Sequence, residues 1–188
     1  MDATTLQNAC ASTDRVVERI SDDQLALPTP CVDWDVRALL NHVLGTLELG
    51  RALLTDTAPA VAVGPGDLPP IDLVGDEPLK AYRIGVEALA AAASSDALDR
   101  THTTPFGDMP GSVLAGFTTL DIAVHGWDLA VATGQPPALD DALAETILAF
   151  AHRTLTDDAR APRIGPAIPV SEDAPMTDRL VAFLGRRP

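Results

Sequence analysis

At 188 residues the chain has room for one domain with a sizeable core, and 46% hydrophobic residues are enough to fill it. Thirteen basic against 27 acidic residues give a formal net charge of -14, which repels phosphate backbones and argues against nucleic acid or anionic membrane as a partner. No apolar run is long enough to span a bilayer and residues 1–20 lack the basic start and apolar centre of a signal peptide, so the expected location is cytoplasmic.

Leu6, Cys10, Thr13, Val17 and Ile20 recur at spacings of three and four, which predicts an amphipathic helix over residues 4–20. Pro28-Thr29-Pro30 forbids its continuation, and Asp33 offers the cap of a second helix running to about Leu54. The buried stripe of that helix is Val36, Leu39, Leu40, Val43, Leu44 and Leu47. His42 falls about 60° beyond Leu39 on the helical wheel, at the border of the stripe, where a side chain can face a cleft. Residues 56–76 are rich in Pro, Gly and Asp without period and read as a loop partly covering the bundle.

Pro78 suits the first turn of a third helix carrying Leu79, Tyr82, Val86, Leu89 and Ala93. A short hairpin around Gly107 is expected between Leu98 and Pro110. A fourth long helix follows from about Gly111 to Thr133, stopped by Gly134 and Pro136. A fifth spans about Asp140 to Leu155, residues 161–169 are extended, and Pro175 to Leu184 forms a short closing helix. Long amphipathic helices with almost no strand signal predict an all-α four-helix bundle with additions. The whole of 1–188 is expected to be one domain, with the bundle over about 2–155 and a C-terminal extension over about 156–188.

The only two cysteines, Cys10 and Cys31, show no metal-finger spacing, so free thiols are expected. A glycine-framed serine elbow, a phosphate-binding glycine loop and a dinucleotide fingerprint are all missing, which leaves hydride transfer, phosphoryl transfer and serine hydrolysis unsupported. The chemistry lies elsewhere. Asp121 and His125 stand one helical turn apart on one helix face and can grip a single ion. With His42 as third ligand they make two imidazoles and a carboxylate, the donor set of a divalent metal with positions left open for water or substrate.

Each residue also has a plain structural reading. A histidine beside an apolar face is commonly a hydrogen-bonded core residue, and Asp121 could lie on a solvent face shared with Thr118 and Asp128. Against that, a carboxylate buried without a partner costs several kcal/mol. Asp128, one turn further along, could orient a histidine nitrogen from outside the ligand set. Cys31 reads first as a small hydrophobe, His102 as a hairpin residue, and His152, beside Arg153 near a helix end, as a surface residue favoured by the helix dipole.

Two segments carry a family likeness: Thr29-Pro-Cys-Val-Asp-Trp-Asp-Val-Arg-Ala-Leu-Leu-Asn-His42 and Leu120-Asp-Ile-Ala-Val-His-Gly-Trp-Asp-Leu-Ala130. With the Phe-Gly-Asp-Met-Pro-Gly turn and the closing Asp178-to-Arg187 segment, the chain resembles the mycothiol-dependent maleylpyruvate isomerase-like family of the DinB-like metal-binding superfamily. The resemblance implies a DinB-like four-helix bundle with a crossover loop, holding one divalent metal near one end through His42, Asp121 and His125. The family's isomerase has glutamate where this chain has the shorter Asp121. That isomerase also carries a further C-terminal domain supplying substrate-binding groups, and the short tail in its place argues against maleylpyruvate isomerisation itself.

The expected function is that of a metal-dependent thiol S-transferase using mycothiol on small electrophiles, with zinc as the metal and nickel or iron as alternatives. The expected partners are therefore a small-molecule thiol and an electrophile, with a homodimer as a further expectation. Two other readings stay open. One is a metal-binding bundle without turnover, serving as a sensor, stress-response protein or scaffold, and the other is a metal-assisted hydrolase with a bound water as nucleophile.

Overall fold

The helices form where apolar spacing and capping residues place them. The computed structural model describes residues 1–105, 107–156, 160 and 164–188. In chain order it contains α1 (Ala3–Val17), a 3-10 turn (Asp22–Gln24), α2 (Val36–Leu54), α3 (Pro78–Ala92), α4 (Ser95–Asp99), β1 (Thr101–Thr104), β2 (Gly107–Pro110), α5 (Gly111–Ala132), α6 (Asp141–Thr154) and α7 (Met176–Phe183). Asp2 and Asp140 accept from the orphan amides of Thr5 and Leu143 and so start α1 and α6. Pro78 opens α3, and Gly134, at φ 69°, ends the α5 turn. β1 and β2 pair antiparallel in register Thr101 with Pro110 to Thr104 with Gly107, the expected hairpin. Phe106 and residues 161–163, which belong to the expected hairpin tip and extended segment, lie outside the described residues.

One capping expectation is corrected. Asp35 caps α2, its carboxylate accepting from the Ala38 amide at 2.8 Å. The extended φ and ψ that a cap requires fall on Asp35, whereas Asp33 sits at φ 69° and turns the preceding loop. That loop is cinched by the Thr29 amide donating to the Trp34 carbonyl at 3.2 Å.

The chain forms two compact units, Met1–Ala138 and Leu139–Pro188. In the first, α1 packs on α5, α5 on α2, α2 on α3 and α3 on α1, a closed ring of four helices. The all-α four-helix bundle predicted from sequence is thus the observed architecture, with α4 and the hairpin inserted before α5. Its centre is filled by Leu6, Val16, Leu39, Leu40, Leu47, Tyr82, Leu89, Ile122 and Leu129. Cys10 belongs to this core, where burial pushes its thiol up to about 12, and the Tyr82 hydroxyl donates to its carbonyl at 2.9 Å. In the second unit α6 packs against α7, burying Ile147, Phe150, Leu180 and Val181. His152 is exposed there beside the Phe183 ring, as its surface reading required.

His102 anchors the hairpin. Fully buried, its ring nitrogens lie 2.8 Å from Asp56 Oδ1 and 2.8 Å from the Ala97 carbonyl, and Arg100 closes the group with an ion pair to Asp56 at 2.6 Å. Among the described residues, no helix is long and apolar enough to cross a membrane.

The α1–α5 crossing is close because Gly126 has no side chain: a Cβ there would meet Thr13 Oγ1 at 2.2 Å and Thr13 Cβ at 3.1 Å. Thr13 cannot easily withdraw, since its hydroxyl donates to the Ile122 carbonyl at 3.0 Å. Gly126→Ala should therefore destabilise by about 1–3 kcal/mol through overpacking, against the roughly 1 kcal/mol gain that helix propensity alone would give. Urea unfolding decides the sign, and Thr13→Ala in the same chain should return part of the loss.

Candidate metal centre

Helix periodicity explains half of the site. The four-residue step from Asp121 to His125 places both on the face that α5 turns toward α2, and α2 presents His42 to them. His42 Nε2 lies 3.2 Å from Asp121 Oδ1, and His125 Nε2 lies 3.7 Å from Asp121 Oδ2. The two imidazoles stand edge to face with centroids 4.9 Å apart. Donor atoms of His42, Asp121 and His125 all fall within 4.8 Å of one another. The three residues selected from sequence are thus brought together.

The other ring nitrogens are tied down. His42 Nδ1 lies 2.9 Å from the Asp67 carbonyl, and His125 Nδ1 lies 2.9 Å from Asp128 Oδ2. Both nitrogens of each ring therefore face oxygen acceptors. Two arrangements satisfy that geometry: a proton on every nitrogen, or neutral rings protonated at Nδ1 with one cation on the Nε2 side. The donor set fits a divalent cation, because Asp121 brings negative charge and the oxygen at each Nδ1 fixes the ring so that Nε2 faces the site, as the hydrogen-bond partners of metal-bound histidines do. The Thr46 hydroxyl donates to Asp121 Oδ1 at 2.9 Å and holds the carboxylate in line.

Electrostatics agree with this pairing. Burial pushes the His42 pKa down, but the Asp121 charge, the bond to its carboxylate and the Asp67 carbonyl outweigh burial and raise it. For Asp121, burial acts upward, yet the charges of His42 and His125, with the bonds from His42 and Thr46, hold the carboxyl well below the usual carboxylate range.

His42 is more enclosed than a border position implies, at 1% exposure. Trp34 packs on its ring with centroids 4.9 Å apart, and the crossover loop brings Asp67 behind it. Asp128 is fully buried, so the solvent-face reading fails for it, and its Oδ2 lies against His125 Nδ1, the orienting contact expected of it. Cys31 lies beside this pair, its Sγ 3.3 Å from Asp128 Oδ2 and 3.7 Å from His125 Nδ1. His102 and His152 take no part. Sequence reasoning missed Thr46, which its four-residue spacing from His42 could have revealed. It also missed Trp34 and the Asp67 carbonyl, for which only tertiary packing gives a signal.

Residues 6–130 match the family described as "Mycothiol maleylpyruvate isomerase N-terminal domain". The chain belongs to that family. It is also 34% identical over 174 residues to two uncharacterized proteins of Mycobacterium tuberculosis, MT0763 of strain CDC 1551 / Oshkosh and Rv0738 of strain H37Rv, covering 91% of this chain and 90% of each relative. No solved structure shows a significant match. The family match spans all of the bundle residues named above for the metal centre, from Cys31 to Asp128.

Thr46→Val keeps the side-chain shape and removes the one hydroxyl that donates to Asp121 Oδ1. Since that bond favours the charged form, its loss should raise the Asp121 pKa in metal-free protein. Carbon-13 NMR titration of the carboxyl would show this, and an unchanged midpoint would mean that Thr46 does not support the anion.

Proposed function

We propose that this protein is a divalent-metal-dependent thiol S-transferase that uses mycothiol as cosubstrate against small electrophiles, with His42, Asp121 and His125 holding the metal. The observation that carries the reading is the orientation of the two histidines. Both turn Nε2 toward one carboxylate while Nδ1 is anchored to a fixed oxygen. Membership in a family described by mycothiol chemistry supports the choice of thiol.

Three protein ligands leave coordination positions for an incoming group, the pattern of catalytic rather than structural sites. Zinc is the metal we assign, with nickel or iron compatible with the same nitrogen and oxygen donors. His42, Asp121 and His125 would hold the cation, which would favour the deprotonated form of a thiol at neutral pH, where a free thiol near pKa 8.5 is mostly protonated. The protein's own residues do the rest. Asp121 stays anionic through the working pH range, Thr46 and Asp67 hold the ligand geometry, and Trp34 covers one face of His42 and keeps water from it.

Two measurements test the reading. His42→Ala and Asp121→Ala should each lower the zinc content by one equivalent per chain with the helical circular dichroism unchanged, because two remaining ligands make too weak a site. Zinc-loaded wild type should then consume members of a panel of electrophiles only when mycothiol is present, and Asp121→Ala should not. Consumption without thiol would replace transfer by hydrolysis. Full zinc content with no consumption of any electrophile would leave a binding protein.

A further inference from the structure

His125 faces two donor sets at once. Its Nε2 points to Asp121 and His42, while its Nδ1 lies 2.9 Å from Asp128 Oδ2 and 3.7 Å from Cys31 Sγ. The sulfur is in turn 3.3 Å from the same Asp128 oxygen. One nitrogen, one oxygen and one sulfur therefore form a triangle with sides of 2.9, 3.3 and 3.7 Å. A tetrahedral zinc ion, with bonds of about 2.3 Å to sulfur and about 2.0–2.1 Å to nitrogen and oxygen, spaces such donors about 3.3–3.6 Å apart. The triangle is already that size to within a few tenths of an ångström.

We propose that Cys31 Sγ, His125 Nδ1 and Asp128 Oδ2 form a second divalent-cation site, thiophilic in character and joined to the first through the two nitrogens of one imidazole. The chemistry of the donors sets the preference. A thiolate selects zinc, cobalt or cadmium over magnesium and calcium, whereas the oxygen-and-nitrogen set on the other side of the ring discriminates less. Asp128 is fully buried, and the Cys31 thiol hydrogen already points at its carboxylate. A cation there displaces the thiol proton and the Nδ1 proton to solvent and takes over the compensation of that charge.

The loop is built to hold the sulfur in place. Thr29 Oγ1 accepts from the Cys31 amide at 3.1 Å, and the Trp34 amide donates to the Cys31 carbonyl at 3.1 Å. Cys31 is half-buried and lines a surface hollow of about 250 Å³ with Pro28, Thr29 and Trp34, which gives an ion a route to it. The net charge of -14 favours cation entry.

This proposal shares His125 with the proposed function and depends on no step of thiol transfer. The test is titration of metal-free protein with cobalt(II) at neutral pH in the absence of any added thiol. Two equivalents should bind per chain, with a sulfur-to-cobalt charge-transfer band in the near ultraviolet. Cys31→Ser should lose the band and one equivalent, whereas Asp121→Ala should keep the band and lose the other equivalent. A wild type without the band, a band that survives in Cys31→Ser, or a band lost in Asp121→Ala overturns the proposal whatever the total number of equivalents. Failure of the transferase assay leaves these outcomes untouched, so the two readings fail separately.

Discussion

The carboxylate of Asp121, drawn partly out of water at the α2–α5 interface, is the constraint around which the site is built. A charge in that position is tolerated only with compensation close by. His42 from the facing helix, His125 from the next turn and the Thr46 hydroxyl all converge on it. Because the partners come from two helices, the pairing also fixes how α2 and α5 register against each other. The apolar contacts of α1 and α3 close the ring around it.

Orientation of the histidines is the work of the loops. The crossover segment delivers the Asp67 carbonyl to His42, and a turn at Gly64–Asp67, with Gly66 at φ 74°, shapes its approach. On the other side, the Thr29–Asp35 loop folds back on itself and seats Trp34 against His42 and Cys31 against Asp128. Asp33 accepts a left-handed conformation so that this reversal can occur within a few residues, a conformation that aspartate tolerates better than most side chains. The rigid helices place the donors, and the irregular chain between them decides which nitrogen each ring offers.

Family membership and local geometry bear on different questions. The match over residues 6–130 states which bundle this is, and the arrangement of nitrogens states what that bundle can hold. The acidic position illustrates the distinction. Asp121 has a short side chain, yet its Oδ1 stands 3.2 Å from His42 Nε2 across the α2–α5 contact, where the helices also approach closely at Gly50, whose Cβ would meet Thr118 Oγ1 at 2.9 Å. Reach is therefore a property of the helix packing as well as of the side chain.

Sequence alone determined the long helices, though not the short α4, and the identity of the three convergent residues. The reason is that apolar periodicity, proline stops and a four-residue spacing are local signals, readable without knowing what lies opposite. Asp140, Pro78 and Gly134 mark their boundaries in the same local way. What lay beyond it were the choice of Asp35 over Asp33 as the α2 cap, the complete burial of His42, and the parts played by Trp34, Asp67 and Cys31. Two acids two positions apart offer equally good caps until the loop before them closes and assigns the extended conformation to one. Likewise a carbonyl 25 residues from His42 carries no mark in sequence, and only the folded path of the crossover loop brings it within hydrogen-bonding distance.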